Sequence, residues 1–422
     1  MLLLTLPWCV FPSIATLRID GPIDSITEEY VSDHFNRSLK SHELKLIVIE
    51  LDTPGGFDGS MRTIIKGIMN APVPVVAFVS PRGARAMSAG FFITMAADIA
   101  AMSPGTSAGA ASPVSVLGGK IEETMKRKIT NDAVSYIRSL ARSRNRNQDL
   151  AEKAVRDATA FTAEECRANN LVEYIADDLR DLIRQIEGRV INRPNRESVT
   201  LYLDGEAIEV WEMSGRQKFL RTITNPNLAY FLLIFGLIGL YLEFSHPGTI
   251  IPGVLGGISL LLAFMAFQIL PVNYVGLLLI LLSIGFFIAE IKVQGFGILG
   301  LGGIVSFLLG SIMLIDAPIP EMRPTMSVIV VISIGFGLIV LFLAYKVIRT
   351  MNRKTETGEE GLLGETGTAR TDIDARSGKV FIHGEWWNAT ADENIAAGTR
   401  VRVVAIKNFT LRVTPQPPGE DS

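Results

Sequence analysis

A long stretch with almost no charge, from Pro226 to Lys346, constrains this chain more than any other feature of its sequence. Only seven of these 121 residues are acidic or basic, against 20% of the whole chain. The stretch holds five apolar runs, near residues 228–243, 250–270, 273–291, 295–315 and 327–347. Each reaches or nearly reaches the roughly 17 to 20 residues that a helix needs to cross a bilayer core. The sequence therefore predicts about five transmembrane helices over 227–348, in contact with the lipid bilayer.

The composition of the whole chain argues against several other classes of protein. Its 40 Lys and Arg residues against 43 acidic residues give no basic excess, so a nucleic-acid partner is not expected. Two cysteines and four scattered histidines support neither a disulfide framework nor a clustered metal site. We therefore expect no metal and no cofactor.

The first 13 residues, MLLLTLPWCVFPS, are apolar, and no Lys or Arg precedes them. This composition favours a signal peptide over residues 1–13, although the charged segment that normally opens one is missing. The alternative is the buried first segment of the folded domain that follows.

Residues 14–188 alternate between strand and helix patterns. IATLRID (14–20), LKLIVIELD (44–52) and VPVVAFVS (73–80) are runs of the kind that parallel strands show when both faces are buried. Between the second and third runs, apolar residues recur at helical spacing. This order predicts an α/β domain with a parallel sheet covered by helices.

Residues 189–226 are predicted to connect this domain to the membrane segment. Within them VTLYLDGEAIEVW (199–211) alternates around an Asp-Gly pair, which predicts a hairpin. Earlier in the chain, within the α/β domain, the basic run RSRNRN (142–147) is more typical of a solvated helix end than of a binding patch.

The tail, residues 355–422, is polar again. Its strand-like runs are separated by Gly, Asn and Asp turns, without helical periodicity. This pattern predicts a small antiparallel β-barrel or sandwich.

Basic residues beside the apolar runs predict the orientation in the membrane. Four of them crowd the end of the last run, namely Lys346, Arg349, Arg353 and Lys354. Because segments rich in Lys and Arg beside membrane spans usually lie on the cytoplasmic side, that end and the tail are predicted to be cytoplasmic. Five spans then place the α/β domain on the extracytoplasmic side. Three basic residues between 216 and 221 oppose this orientation, but the final cluster is denser.

A candidate nucleophile, Ser88, follows a strand and loop and begins a helix in RGARAMSAGFF. A helix N-terminus supplies free amides and partial positive charge. The turn DTPGG (52–56) ends the preceding strand, and its glycines let backbone amides approach a ligand closely. The amides of Gly55, Gly56 and Ala89 are therefore the predicted oxyanion hole. The alternative for Ser88 taken alone is an ordinary helix N-cap.

Five motifs together closely resemble the long NfeD-type membrane proteins: DTPGG, AMSAGFFITMAAD, MSPGTSAGAASPV, KITNDAVSYIRSLARSRNRN and EFSHPGTIIPGVLGG. The resemblance extends over about residues 14–415. It implies a Clp-protease-like domain of the crotonase superfamily, then transmembrane helices, then a C-terminal OB-type barrel. It also implies a serine protease whose substrate or partner is a stomatin- or flotillin-like membrane protein. Clp-like domains commonly associate, so a homodimer or larger homo-oligomer is implied as well.

In proteolytic relatives the catalytic dyad is Ser and Lys, and the resemblance places the Ser at Ser88 and the Lys at Arg138. Arginine stays protonated where a desolvated lysine can be neutral, so it is a poor general base. Three interpretations stay open: a neighbouring lysine substitutes, Arg138 acts electrostatically, or the domain binds peptides without cutting them. The neighbouring lysines are Lys120, Lys126 and Lys153.

Asp157 lies where relatives carry an Asp near the dyad. It is expected either to orient Arg138 or to be an ordinary polar residue at a helix end. A Ser-His-Asp triad in the Clp order is excluded, because no histidine occurs between Ser88 and His246.

Two functions follow from these patterns. The first is a membrane-bound serine endopeptidase that cleaves hydrophobic segments of a stomatin- or flotillin-type partner. The alternative is an inactive peptide-binding scaffold that organises assemblies of such proteins.

Overall fold

The computed structural model describes residues 13–40, 43–114, 122–193, 196–245, 248, 250–293, 297–317, 319–351 and 359–416. The predicted signal peptide, except for Ser13, lies outside these residues. The chain forms two compact units, Met1–Gly337 and Leu338–Ser422. The α/β domain and most of the apolar helices belong to the first unit, and a β-barrel belongs to the second.

Six parallel strands form the main sheet of the α/β domain, as the apolar runs predict. The strands of this domain are β1 (Ile14–Asp20), β2 (Leu46–Asp52), β3 (Val75–Val79), β4 (Arg85–Met87), β5 (Ile99–Met102), β6 (Ser107–Gly109), β7 (Ala160–Thr162), β8 (Tyr174–Ile175), β9 (Val190–Ile191), β10 (Val199–Thr200) and β11 (Ile208–Val210). The order across the main sheet is β11-β1-β2-β3-β5-β8. All five residues of β3 are buried, because helices cover both faces of the sheet.

Helices alternate with these strands along the chain. They are α1 (Ser25–Ser38), α2 (Asp58–Asn70), α3 (Ala89–Ala96), α4 (Glu123–Ser143), α5 (Gln148–Arg156), α6 (Ala163–Ala168), α7 (Leu179–Ile186) and α8 (Gly215–Ile223). Asp24 caps α1 by accepting a hydrogen bond from the Thr27 N–H at 2.8 Å. The predicted α/β class of this domain is confirmed.

A second, three-stranded sheet carries the candidate nucleophile. β4 pairs in parallel with β6, and β6 pairs in antiparallel fashion with β7. On its other side, β4 is bridged to Thr53, which directly follows β2. The small sheet therefore brings the residue after β4 next to the turn that ends β2.

The predicted hairpin over 199–211 is wrong. Its first arm, β10, pairs with β9, whereas its second arm, β11, extends the main sheet beside β1. Gly205 does form a turn, with φ of 72°. The second arm pairs with β1 because that strand offers a free parallel edge, and Trp211 continues the ladder through a 2.8 Å bond from its N–H to the Thr16 carbonyl.

The prediction that the run 142–147 is solvated is wrong for Arg144 and Arg146, whereas Arg142 and Asn145 are exposed. The Arg146 side chain is fully buried and contacts Glu173 through Nε and Nη2, both at 2.8 Å. Arg144 pairs with the buried Asp98 at 2.6 Å. These arginines also donate to the last carbonyls of α3, including the Thr94 oxygen at 2.9 Å.

Five apolar helices follow the α/β domain, as the charge-poor runs predict. They are α9 (Pro226–Ser245), α10 (Ile251–Phe267), α11 (Tyr274–Val293), α12 (Ile298–Met313) and α13 (Met326–Met351). Within the part of the chain that the structure describes, two stretches, Pro226–Phe244 and Pro320–Ile339, are long and apolar enough to cross a membrane, and three further apolar helices are shorter. Small residues let the helices approach, since a Cβ at Gly310 would lie 2.7 Å from the Gly276 oxygen.

The second unit contains a closed five-stranded barrel, which decides between the two predicted all-β forms. Its elements are α14 (Glu359–Leu362), β12 (Thr366–Ala369), β13 (Lys379–Ile382), β14 (Glu385–Thr390), β15 (Arg400–Lys407) and β16 (Thr410–Pro415). The order around the barrel is β12-β13-β14-β16-β15. Val380, Val401 and Leu411 are fully buried inside it. The predicted fold class, an α/β domain, then apolar helices, then a small barrel, is confirmed.

Candidate active site

Ser88 lies between β4 and α3 in a backbone conformation that L residues rarely adopt. Its φ is 54° and its ψ is −117°. An ordinary N-cap residue is extended, and its side chain accepts a hydrogen bond from the first turn of the helix. Ser88 makes no such capping bond, while its N–H donates to the Gly109 oxygen at 2.9 Å. A strained serine between a strand and a helix is the geometry of an exposed nucleophile, so the structure favours that interpretation over an N-cap.

Gly55 packs directly against Ser88. A Cβ at this glycine would lie 2.5 Å from the Ser88 Cβ and 3.1 Å from its Oγ. The φ of Gly55 is 109°, a backbone conformation that residues other than glycine rarely adopt. Its N–H donates to the Thr53 Oγ1 at 3.0 Å. Gly55 therefore provides space beside the hydroxyl, while its amide is engaged by Thr53.

The amides of Gly56 and Ala89 have a different environment. The Ile23 N–H donates to the Gly55 oxygen and the Phe57 N–H donates to the Ile23 oxygen, both at 2.8 Å. Successive groups of an extended backbone point in opposite directions, so the Gly56 N–H points away from Ile23. Ala89 is the first residue of α3, and its N–H is one of the four without an acceptor inside the helix. Neither amide has an acceptor among the residues that the structure describes, so both can bind a ligand oxygen.

The side-chain oxygen of Ser88 has no hydrogen-bond partner within the described ranges, which leave out residues 115–121. The predicted substitute base Lys120 lies in that omitted segment. Lys126 on α4 and Lys153 on α5 are exposed to solvent.

Arg138 extends from α4 toward α5. Its guanidinium contacts the Glu152 carboxylate, and the Asp149 carboxylate lies 3.6 Å away. The hydrogen bond with Glu152 raises the pKa of Arg138 above its ordinary value. The pKa of Glu152 is lowered, first by Arg156 and then by Arg138. The described contacts of Arg138 are thus with acidic residues of α5 and do not include Ser88.

The structure does not bring Asp157 to Arg138. Asp157 is the exposed C-cap of α5, and the carboxylate that holds the guanidinium comes from Glu152. The sequence alone did not identify Glu152 as the partner of Arg138. Glu152 lies three residues from Asp149 on the same helix, so both carboxylates lie on the same face of α5.

The neighbour Tyr136 faces the nucleophile's helix. Its ring stacks on Phe92 of α3, with ring centres 6.0 Å apart, and the Arg62 guanidinium lies 4.6 Å from its centre. Burial raises the pKa of Tyr136. The stack of Tyr136 on Phe92 holds α4 against α3, and Phe92 lies four residues after Ser88 in the sequence.

Family models match all three parts of the chain. Residues 19–188 match the N-terminal domain of NfeD1b, residues 227–346 match the NfeD integral membrane domain, and residues 359–415 match the NfeD-like C-terminal, partner-binding domain.

Two relatives match over nearly their full lengths. The membrane-bound protease PH1510 of Pyrococcus horikoshii is 34% identical over 413 residues, which are 94% of this chain and 92% of the relative. The membrane protein NfeD1b of Bacillus subtilis is 25% identical over 425 residues, 93% and 91% of the two chains.

A solved structure matches the N-terminal half. It is a lysine-to-alanine mutant of the 1510-N membrane-bound stomatin-specific protease from P. horikoshii, in complex with a substrate peptide. It is 30% identical, has a TM-score of 0.47, and covers 50% of this chain and 97% of that chain.

Proposed function

Because this chain belongs to the NfeD family of integral membrane proteins, we propose that its α/β domain is a serine endopeptidase with Ser88 as nucleophile. One observation carries the proposal: Ser88 adopts strained backbone angles, makes no capping bond, and has Gly55 packed against its Cβ. That arrangement destabilises the fold locally and gains nothing for an ordinary helix start.

The proposed chemistry is acyl transfer. Ser88 Oγ attacks the carbonyl carbon of a peptide bond while its proton passes to a base, and negative charge develops on the carbonyl oxygen. The C–N bond then breaks, the amine leaves with that proton, and water hydrolyses the Ser88 ester to release the acid. The amides of Gly56 and Ala89 donate to that oxygen, with the positive end of α3 behind them. Gly55 takes part by lacking a Cβ, which would otherwise occupy the space beside the hydroxyl.

The proton of Ser88 needs an acceptor that is neutral before the reaction. Arg138 does not meet this condition, because Glu152 stabilises its charged form. We assign Arg138 a positioning and electrostatic role in joining α4 to α5. We propose that a neighbouring lysine, Lys120, Lys126 or Lys153, accepts the proton. A lysine becomes neutral where it is removed from water, so for the exposed Lys126 and Lys153 the proposal requires that bound substrate cover the amine. Asp157, expected to orient Arg138, is instead the exposed C-cap of α5, and Glu152 holds the guanidinium.

The proposed substrate is a hydrophobic segment of a stomatin- or flotillin-type membrane protein. Two findings support this choice: the similar P. horikoshii protease is described as stomatin-specific, and the C-terminal domain matches a partner-binding model. We further propose that the chain acts as a homodimer or larger homo-oligomer, as Clp-like domains commonly do.

We propose that the α/β domain is extracytoplasmic and the barrel cytoplasmic. The basic residues that oppose this orientation are bonded within the folded half: Arg216 to Glu29, Lys218 to Glu212, and Arg221 to Thr27 and the Asp20 oxygen. The charges of Arg216 and Lys218 are therefore paired with carboxylates, whereas Arg221 bonds a hydroxyl and a main-chain carbonyl. The two ion pairs support giving more weight to the cluster after the last span.

A fluorophosphonate probe tests the nucleophile in the full chain, purified in detergent. We expect the parent to be labelled and Ser88→Ala not to be. Ser135→Ala is the matched control, because Ser135 is an exposed serine on α4. Loss of labelling in Lys120→Met, Lys126→Met or Lys153→Met identifies the base. Labelling of Ser88→Ala at the parental rate would refute the assignment.

The second candidate function is the peptide-binding scaffold. The ion pair of Arg138 with Glu152 favours it, because this position holds a fixed cation where proteolytic relatives carry the catalytic lysine. This function predicts no labelling of the parent and a gain of labelling in Arg138→Lys. It also predicts that Ser88→Ala fully rescues a deletion phenotype in cells.

A further inference from the structure

The strand that carries the nucleophile contacts the membrane half of the protein directly. Arg85, the first residue of β4, donates from its guanidinium to the Glu321 carboxylate. Glu321 belongs to a short 3-10 turn, Pro320–Met322, in the loop between α12 and α13. Arg85 precedes Ser88 by three residues, so their Cα atoms are at most about 11 Å apart.

The partly exposed face of β4 is the one that meets this loop. Side chains alternate along a strand, so Arg85 and Met87 share one face and Ala86 has the other. Ala86 is fully buried, whereas Arg85 and Met87 are partly exposed. The loop therefore lies against the face of β4 that carries Arg85 and Met87, on the strand that ends next to Ser88.

The loop is itself held rigidly at the ends of the apolar helices. Arg323 donates to the Ala317 oxygen, and its guanidinium lies 3.4 Å from Asp316. The Thr325 N–H donates to the Asn227 side chain at 2.8 Å, which ties the loop to the start of α9. Met322 is almost fully buried. These contacts hold the residues on either side of Glu321 in place.

A second attachment joins the α/β domain to the same end of the apolar helices. Ile26 of α1 packs with Leu220 and Ile223 of α8, and Ile269, from the α10–α11 loop, packs against this cluster. Two separate attachments prevent rotation about a single linker. These contacts hold the α/β domain, and with it Ser88, against the ends of the apolar helices.

We propose that the α12–α13 loop is a substrate-positioning element, with Glu321 and Arg85 as positioning residues that hold it beside the entrance to the Ser88 site. This inference rests on the proposed peptidase function and adds a specificity to it. A peptide that emerges from the bilayer surface meets the loop and Ser88 together, whereas a soluble peptide gains nothing from the loop. The preferred substrate is accordingly an apolar segment attached to the membrane.

A charge swap tests this assignment in the full chain in phosphatidylcholine vesicles. The variants are Arg85→Glu, Glu321→Arg and the double swap, and Arg82→Glu is the matched control. Arg82 lies nearby but pairs with Asp177 at 2.6 Å, away from the loop. Two quenched peptides rich in Leu and Ala serve as substrates, one soluble and one carrying a palmitoyl chain.

Each single variant should raise the KM for the palmitoylated peptide by about fivefold, the upper range for an exposed ion pair, and leave its kcat unchanged. The soluble peptide and the rate of fluorophosphonate labelling should be unaffected. The double swap should restore the parental KM. Equal effects on both peptides, no effect on either, or no rescue would overturn the proposal.

Amide hydrogen exchange over residues 315–325 keeps the two proposals separable. Each single variant should speed exchange there, and the double swap should slow it again, whether or not the parent cleaves peptides. A parent that is neither labelled nor active, but shows this exchange pattern, would refute the peptidase function and keep the loop contact. Suppose instead that the parent is labelled and active, but that the charge swap changes neither the amide exchange of the loop nor the preference for the palmitoylated peptide. That result would refute the loop inference alone.

Discussion

Gly55→Ala should slow the reaction of Ser88 with a fluorophosphonate by about 100-fold while the fold persists. The new Cβ would lie 2.5 Å from the Ser88 Cβ and 3.1 Å from both the Met87 oxygen and the Ser88 Oγ. A φ of 109° adds strain of about 1–3 kcal/mol, and overpacking adds about 1–3 kcal/mol. If the hydroxyl moves out of its reactive position and the activation free energy rises by only about 2.7 kcal/mol of this strain, labelling slows about 100-fold.

The assay compares second-order rates of fluorophosphonate labelling with thermal unfolding midpoints of the same preparations. Gly59→Ala is the matched control, because Gly59 lies four residues away in α2 and a Cβ there meets nothing within 4 Å. That change should leave labelling intact and raise the midpoint slightly, since alanine favours helix. Parental labelling in Gly55→Ala would show that the close approach of Gly55 does not shape the site.

Three further predictions concern buried charged and titratable groups. Arg146→Met leaves Glu173 partly buried without its cation, so it should cost about 3–5 kcal/mol, measured as a large drop in the unfolding midpoint. Burial lowers the pKa of His34 below its ordinary 6.5, so its neutral form stabilises the fold fully above pH 6.5, and this stability is lost as pH falls through the lowered pKa. His34→Phe should therefore flatten the decline in midpoint between pH 7 and 5, and an unchanged profile would contradict the assignment. Burial raises the pKa of Cys166 to about 12, so a maleimide should modify it only after unfolding, as mass spectrometry would show in a variant without the other cysteine.

The parallel sheet could be predicted because its strands carry their own signal. Runs such as residues 44–52 and 73–80 are apolar on both faces, and that property comes from local sequence. The pairing of β11 with β1 could not be predicted in this way. It joins residues nearly 200 positions apart, and the Asp-Gly turn between β10 and β11 suggested a local partner instead.

The burial of Arg144 and Arg146 could not be predicted for the same reason. A run of basic residues gives the charge to be neutralised but not the partner. Here the partners are Asp98 and Glu173, at 46 and 27 positions in sequence. Long-range ion pairs therefore decide burial where the local pattern indicates solvent.

In the candidate site, the proximity of Ser88 to Gly55 was predictable from the order of elements. Both residues follow strands that end at the same edge. The glycines after the first strand and the small residues where the helix begins can be identified from the sequence. The role of Arg138 was not predictable, because resemblance gives a position but not its neighbours. Only the structure shows that Glu152 of α5 takes the guanidinium.

The contribution of residues 189–213 to the α/β domain determines which soluble fragments can be produced. Arg193 donates to the Ala71 oxygen at 2.9 Å and so caps α2, and Trp211 and Met213 pack on the main core. A fragment that stops at residue 188 would lose these contacts and leave β1 as a bare edge strand, which invites aggregation. A fragment carried through Met213 keeps β1 covered by β11, so it is the shorter piece that should precipitate on expression.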